Sequence, residues 1–129
     1  IRDVWGVAKA YETYVGTKQF QPPHNKVFAH IQEAGQEFGA TTGRVRQCNW
    51  INLPFLKKSV QLNGVNRVVI NKMDIMRQVG NWSLRNNDGK ADFFEFFSTE
   101  EDFTNRIEEF LANTGKNIDI FFSDSPHKI

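Results

Sequence analysis

Residues 67–74 read Arg-Val-Val-Ile-Asn-Lys-Met-Asp, a short β-branched run that passes directly into a polar turn. A run of this kind, with Asn63-Gly64 as a turn signal before it, predicts a buried strand. Its apolar residues are continuous rather than alternating, which is typical of strands in a parallel sheet. Helical patterns lie on both sides of it in the chain, so residues 67–74 predict an α/β fold.

Helical spacing of apolar residues recurs in three segments around this strand. The first covers residues 25–35, and the second covers 52–62 with Pro54 in its first turn, where proline is tolerated. Ser98-Thr99-Glu100-Glu101 has the spacing of a capping box and predicts a third helix over 98–113. Helices and strands therefore alternate along much of the chain.

Extended and irregular segments fill the rest of the chain. The predictions are a hairpin that joins 82–85 to 91–97 through Asp88-Gly89, a final strand over 118–122, a short helix over 4–11 and a loop over 39–49. The hairpin phenylalanines either pack inside or meet a partner, and we expect core packing for Phe93, Phe94, Phe96 and Phe97. Together these elements predict one α/β domain over 1–129, with a mixed, mostly parallel sheet, flanking helices and an antiparallel hairpin.

The composition of the chain excludes several classes of protein. Its 129 residues favour a single domain, and 40% hydrophobic with 24% charged residues are ordinary for a globular one. No apolar run approaches the roughly 20 residues of a membrane helix, and no signal-peptide pattern opens the chain. The single cysteine, Cys48, cannot form an internal disulfide. We therefore expect neither membrane spans nor secretion, and a net charge of +1 argues against a nucleic-acid coat protein.

Positive charge is concentrated in the middle of the chain. Between Phe38 and Met73 the six charged residues are all basic: Arg44, Arg46, Lys57, Lys58, Arg67 and Lys72. From Asp74 to Ile129, eleven acidic residues stand against six basic ones. This asymmetry indicates either a region that faces small anions, such as phosphates or carboxylates, or a solvated face whose acidic partners come from elsewhere in the fold.

The segment 39–46, Gly-Ala-Thr-Thr-Gly-Arg-Val-Arg, combines small residues with hydroxyl and guanidinium groups. Small residues let the backbone approach a ligand closely, and the threonine hydroxyls can donate to carboxylate oxygens. Arg44 and Arg46 can clamp a planar anion with bidentate hydrogen bonds. The segment therefore indicates an anion site, with a structural turn as the alternative.

Two predicted strands end in polar turns that can face a nucleotide base. Lys72-Met73-Asp74 follows the strand at 67–70. An Asp carboxylate at that place can accept from both the N1–H and the amino group of guanine, while the Lys stem lies along the base plane. Ser123-Asp124-Ser125 follows the strand at 118–122 and can supply a second wall to the same pocket. An ordinary polar turn is the alternative at both places.

Several motifs, taken in order, resemble the C-terminal part of adenylosuccinate synthetases. The matching motifs are Val4-Trp5-Gly6-Val7-Ala8-Lys9-Ala10-Tyr11, Thr13-Tyr14-Val15-Gly16, Glu37-Phe38-Gly39-Ala40-Thr41-Thr42-Gly43-Arg44-Val45-Arg46 with Trp50, and Val60-Gln61-Leu62-Asn63 through Lys72-Met73-Asp74. The resemblance continues more loosely to Ile118-Asp119-Ile120, so it covers nearly the whole chain. It implies that residues 1–129 are the C-terminal, aspartate- and nucleotide-base-binding portion of a longer chain, and a first residue other than methionine agrees with that expectation.

The resemblance implies a ligase of purine nucleotide biosynthesis. Enzymes of this family join L-aspartate to C6 of a 6-oxopurine nucleotide, usually IMP, with GTP and Mg²⁺; the 6-oxygen is phosphorylated and then displaced by the aspartate amine. The substrate-binding residues that it implies are Val15, Ala40, Thr41, Thr42, Gly43, Arg44, Val45 and Arg46. Of these, Arg44 and Val15 would lie near the ribose, and Arg46 would be a catalytic residue on both aspartate and the triphosphate. The nucleotide-binding residues that it implies are Arg46, Lys72, Met73, Asp74, Ser123, Asp124 and Ser125.

The resemblance also implies groups that this chain does not carry. The phosphate loop, the catalytic Asp and His and the Mg²⁺ ligands of the family correspond to positions N-terminal to residue 1. We therefore expect no metal ligands and no catalysis from this chain alone. The family likeness further implies a homodimer in the cytoplasm, or in the host cytoplasm for a phage-encoded enzyme, with neither nucleic acid nor membrane as a partner.

Four positions depart from the family pattern. Tyr14 and Gln47 stand in place of arginines, Asn49 stands in place of the glycine before the tryptophan, and Ser125 stands in place of a glycine in the last turn. Such departures, with a short segment over 74–123, resemble the phage-type relatives that use dGMP and ATP to make a 2-aminoadenylosuccinate nucleotide. Asp74 instead suits guanine and hence GTP. A non-catalytic module that binds nucleotide or dicarboxylate is a third alternative.

Overall fold

The computed structural model describes residues 3–22, 25–38, 45–87, 89, 92–114 and 117–124. In this part of the chain the elements are β1 (Trp5–Lys9), β2 (Tyr11–Tyr14), α1 (Val27–Ala34), β3 (Gln47–Asn52), α2 (Leu53–Leu62), β4 (Arg67–Asn71), α3 (Met73–Val79), β5 (Trp82–Asn87), β6 (Asp92–Phe97), α4 (Glu100–Ala112) and β7 (Asp119–Phe122). The described strands form two sheets, one of three strands and one of four.

The run that begins at Arg67 is the central strand of an entirely parallel sheet, in the order β1-β4-β7. β4 pairs with β1 from Arg67 to Asn71 and with β7 from Arg67 to Ile70. The prediction of a buried parallel strand is therefore confirmed, and Val68 and Ile70 belong to the core. Because the three strands are parallel, their carboxyl ends lie at one edge of the sheet.

The second sheet has the order β2-β3-β5-β6 and mixes strand directions. β2 with β3 and β5 with β6 are antiparallel, whereas β3 with β5 is parallel. The predicted hairpin is β5 with β6, and Trp82 lies opposite Phe97 at its open end. The α/β class, the parallel pairing and the antiparallel hairpin are thus confirmed, and they are divided between two sheets.

The predictions of a helix over 4–11 and of a loop over the whole of 39–49 are wrong. Ala8 and Ala10 favour a helix locally, but pairing with β4 and a hydrogen bond from the Ala10 N–H to the Asn71 carbonyl (2.9 Å) hold β1 extended. Gln47 begins β3 because residues 47–50 pair with β2. In both segments a strand that is distant in the chain overrides the local preference.

Helices α1, α2 and α4 lie where the apolar spacing predicts them and bury their apolar faces against the sheets. Phe28 of α1 packs on Trp50 of β3 with 4.7 Å between ring centroids, and Phe103 of α4 packs on Trp82 of β5 at 5.1 Å. Burying one such phenylalanine contributes about 2 kcal/mol relative to leaving it exposed. No helix of the described residues is long and apolar enough to cross a membrane.

The expectation that the hairpin phenylalanines pack in the core is wrong for three of them. Phe93, Phe94 and Phe96 are exposed, whereas Phe97 packs against the core. The reason is the place of β6 at the end of the four-stranded sheet, where β5 is its pairing partner among the described strands. A side chain on such a strand is covered where another element packs on its face, and α4 is the helix that contacts β6.

The start of α4 depends on a side-chain cap. The Thr99 hydroxyl accepts a hydrogen bond from the Asp102 N–H at 3.1 Å, so the N-cap lies one residue after the serine that begins the predicted capping box. We expect Thr99→Ala to lower the free energy of unfolding by about 1 kcal/mol, because the Asp102 N–H loses its acceptor. Urea denaturation of Thr99→Ala and of the matched control Ser98→Ala checks this, and an equal loss in both variants would contradict the cap.

Candidate functional site

The carboxyl ends of the parallel strands bring two of the predicted turns together. β4 runs into Lys72, and β7 runs into Ser123. The Ser123 N–H donates to the Ile70 carbonyl at 2.9 Å, and the Met73 N–H donates to the Ser123 carbonyl at 3.0 Å. The turns at 72–74 and 123–124 are therefore adjacent, which is the arrangement that a shared binding pocket at a sheet edge needs.

Lys72 occupies the junction between β4 and α3 in a left-handed conformation, with φ 65° and ψ 25°. A non-glycine residue in this region costs roughly 1–2 kcal/mol, so the surrounding structure holds it there. Lys72 is half-buried, whereas Met73 and Asp74 lie in the first turn of α3 and are 1% and 3% exposed. The sequence analysis did not predict α3, and this helix leaves Lys72 as the most accessible residue of the motif.

Asp124, in the second turn, is tied to two helices through Arg77. The Arg77 guanidinium donates to Asp124 at 3.4 Å and forms a bidentate pair with Glu100 at 2.8 and 3.0 Å. The hydrogen bond from Arg77 holds the pKa of Glu100 below its usual range. Because these groups are exposed, their pairing orients the turn more than it stabilises the fold.

Val15, another predicted site residue, is exposed just after β2.

Glu37 is a buried carboxylate that gathers donors from three other parts of the chain. One oxygen accepts from the Lys9 ammonium at 3.1 Å and from the Arg46 guanidinium at 3.0 Å. The other oxygen accepts a short hydrogen bond from the Tyr11 hydroxyl. Glu37 is 1% exposed, whereas the Lys9 and Arg46 side chains are 29% and 33% exposed. The cluster therefore presents two oriented cations at the surface above a buried counter-charge.

The protonation states of this cluster follow from its hydrogen bonds. Burial opposes the ionisation of Glu37, but the hydrogen bonds from Tyr11, Lys9 and Arg46 outweigh it and hold the pKa of Glu37 below its usual range. Burial, with the hydrogen bond to Glu37, raises the pKa of Tyr11, so its hydroxyl stays a donor. A Cβ at Gly35 would overlap that hydroxyl, so glycine at the end of α1 leaves room for the pair. At neutral pH the cluster thus holds an ionised carboxylate.

The described residues on either side of positions 39–44 are held together. Phe38 and Val45 form an antiparallel bridge, and the Arg46 N–H donates to the Glu37 carbonyl at 2.9 Å. Six predicted site residues lie outside the described residues: Ala40, Thr41, Thr42, Gly43, Arg44 and Ser125. Their roles stay predictions, whereas Arg46 is placed with Lys9 at the carboxyl end of β1.

Sequence reasoning missed Lys9, Tyr11 and Glu37 as members of the site. Tyr11 and Glu37 are 26 residues apart, so no local motif joins them. One signal was present: Glu37 directly precedes the stretch 38–73, which holds six cations and no carboxylate. A carboxylate at the border of such a stretch is a natural partner for the cations that the fold brings close.

Comparison with known proteins shows to which family this chain belongs. The sequence profile described as Adenylosuccinate synthetase matches residues 1–85. The chain belongs to the adenylosuccinate synthetase family. The adenylosuccinate synthetase of Methanococcoides burtonii is 43% identical over 77 residues, 59% of this chain and 18% of that protein. That of Yarrowia lipolytica is 45% identical over 80 residues, 61% of this chain and 19% of that protein. The chain thus spans about a fifth of the length of these curated relatives.

A solved structure agrees with the family assignment at the level of the fold. The fully ligated adenylosuccinate synthetase from Plasmodium falciparum matches with a TM-score of 0.73 and 20% sequence identity. The match covers 94% of this chain and 37% of that chain, so it reaches beyond the 85 residues of the profile match. The resemblance inferred from the motifs is therefore confirmed, and the fold likeness includes most of the segment after the profile match ends.

Proposed function

We propose that this chain forms the aspartate- and nucleotide-binding part of a ligase that joins L-aspartate to C6 of a 6-oxopurine nucleotide. In the form usual for the family, IMP, L-aspartate and GTP give adenylosuccinate, a step of purine biosynthesis. The observation that carries the proposal is the meeting of two features at the carboxyl ends of the parallel strands. These are the paired turns at Lys72 and Ser123, and the oriented cations Lys9 and Arg46.

Arg46 suits the binding of an anion. Its guanidinium has five N–H donors, and the bond to Glu37 uses one of them to fix its orientation. The side chain is one-third exposed and adjoins the predicted threonine loop. An oriented, charged donor at this place can bind a carboxylate of aspartate and offset the negative charge that develops during phosphoryl transfer.

The adjacent turns suit the binding of a purine base. The Lys72 stem can lie along the plane of the base, with Ser123 and Asp124 on the other side. The left-handed backbone at Lys72 turns the chain sharply between β4 and α3, and the bond between Met73 and Ser123 fixes the second turn against the first. We propose that these two turns hold the guanine of the triphosphate.

The described part of this chain does not contain a set of side chains that fits the Mg²⁺ ion of the family. No group of three or more His, Cys, Asp or Glu side chains among those residues could hold a metal ion. Mg²⁺ is usually held by carboxylates together with substrate phosphates and water. We therefore propose that the ligands of the metal lie in other parts of the family fold.

An exposed apolar face of the parallel sheet supports the proposal that this chain is part of a larger enzyme. Trp5, Val7 and Phe121 are 56%, 70% and 43% exposed, and the Trp5 and Phe121 rings stack at 5.7 Å on the same face of the parallel sheet. Parallel sheets are normally covered on both faces. This face therefore favours part of a larger enzyme over a stand-alone binding module. The homodimeric state and cytoplasmic location that the family implies belong to the same proposal.

Turnover by the full-length protein that contains this chain tests the proposal. Four mixtures, each with L-aspartate and Mg²⁺, combine IMP or dGMP with GTP or ATP, and chromatography detects the succinylated nucleotide. We expect product that requires aspartate. Turnover of IMP with GTP supports the usual reaction of the family, and turnover of dGMP with ATP supports the phage-type reaction. Nucleotide binding without product in any mixture would contradict the ligase and favour a binding module.

A further inference from the structure

Three departures from the family pattern contact the same loop, residues 16–21. Tyr14 and Gln47 lie opposite each other in the antiparallel pair of β2 and β3, and Asn49 lies two residues further along β3. The Tyr14 ring packs on the Phe20 ring with 5.4 Å between centroids, and the Asn49 amide donates to the Phe20 carbonyl at 3.0 Å. The departures are therefore connected in space.

Gln47 holds this loop through both ends of its amide. Within the described residues its side chain makes four hydrogen bonds to the loop. Oε1 accepts from the N–H groups of Phe20 (2.9 Å) and Gln21 (3.0 Å). Nε2 donates to the carbonyls of Gly16 (3.3 Å) and Lys18 (2.8 Å). One side chain thus satisfies backbone groups along nearly the whole loop.

These contacts need a side chain that donates and accepts at once. A glutamine amide does both, whereas the arginine usual at this position has donors alone and could not accept from Phe20 and Gln21. Gln21 ties the loop from its own side, since its Oε1 accepts from the Cys48 N–H at 2.9 Å. Where the family usually has a positively charged arginine, this chain therefore has a neutral glutamine that links β3 to the loop.

We propose that Gln47 is a positioning residue for the acceptor nucleotide. Its amide fixes residues 16–21 and with them Val15, which directly precedes the loop and which the family resemblance places beside the ribose. The inference rests on the proposed ligase function and adds a specific determinant to it. Because Gln47 acts on the loop rather than on the aspartate-binding segment, the affinity for the acceptor should depend on it more than the affinity for aspartate.

Three variants of the full-length protein test this inference. Gln47→Met removes both the donor and the acceptor at similar length, Gln47→Glu keeps the acceptor for Phe20 and Gln21, and Gln61→Met is the matched control on the exposed face of α2. We expect Gln47→Met to raise KM for the acceptor about tenfold, with kcat and KM for aspartate changed less than about twofold. Gln47→Glu should give a smaller rise. Hydrogen exchange at the Phe20 and Gln21 amides should quicken in Gln47→Met and stay slow in Gln61→Met.

The possible outcomes distinguish a failure of the positioning role of Gln47 from a failure of the proposed ligase function. An active ligase whose acceptor KM is the same in Gln47→Met and Gln61→Met overturns the positioning role and leaves the ligase standing. If the protein does not ligate aspartate, calorimetry with IMP and dGMP takes the place of kinetics. Weaker binding in Gln47→Met then supports the positioning role without the ligase, and equal binding in all variants, or none, overturns both.

Discussion

Arg46→Ala in the full-length protein should lower kcat/KM for aspartate about a thousandfold. The expected cause is the loss of an oriented guanidinium, which Glu37 holds at 3.0 Å and leaves one-third exposed. KM for the triphosphate should rise as well, because the family resemblance places Arg46 on both substrates. Steady-state kinetics with each substrate varied in turn would measure both effects.

Arg106→Ala is the matched control for this loss. Arg106 also pairs with a carboxylate, that of Glu95 at 2.8 Å, and its side chain is 25% exposed, but it lies on α4 away from the strand ends. Because Arg106 is not part of the proposed site, its kinetic constants should stay within about twofold of the parent. An unchanged aspartate dependence in Arg46→Ala, or equal losses in both variants, would contradict the role of Arg46.

Glu37→Ala should lower the free energy of unfolding by about 3 kcal/mol at neutral pH. The substitution leaves the buried Tyr11 hydroxyl without its acceptor and removes the counter-charge of Lys9 and Arg46. Urea denaturation would measure the loss. Glu109→Ala is the control, because Glu109 is 74% exposed and pairs with a residue on its own helix at 3.4 Å. A loss of similar size in both variants would show that burial of the carboxylate is unimportant.

The effect of Glu37→Ala should depend on pH with a definite sign. The pKa of Glu37 in the folded protein lies below its ordinary value of 4.5. The ionised carboxylate therefore contributes its full stability above pH 4.5, and this contribution is lost as the pH falls through the folded pKa. The difference between parent and variant should stay constant near neutral pH and shrink under acid conditions. A difference that persists unchanged in acid would rule out the carboxylate as its source.

Elements with strong local signals were predictable from the sequence. The continuous apolar run at 67–70, the proline near the start of α2 and the Asp-Gly pair between the two hairpin strands are each signals from residues that are close in the chain. The strands β1 and β3 were not predictable in this way, because their extended backbones come from pairing with β4 and β2. The exposed phenylalanines of β6 were missed because local spacing does not specify which distant elements pack on a strand.

By itself, the sequence determined the family and the α/β class, because ordered motifs and local spacing carry that information, and it also predicted an anion clamp and a base-reading turn. Only the tertiary structure decided which groups meet. It brought Lys9, Tyr11 and Arg46 to the buried carboxylate of Glu37, and it set Gln47 against the loop after Val15. These hydrogen bonds join residues that are 9 to 31 positions apart, and they depend on strand pairing, which spacing along the chain does not specify.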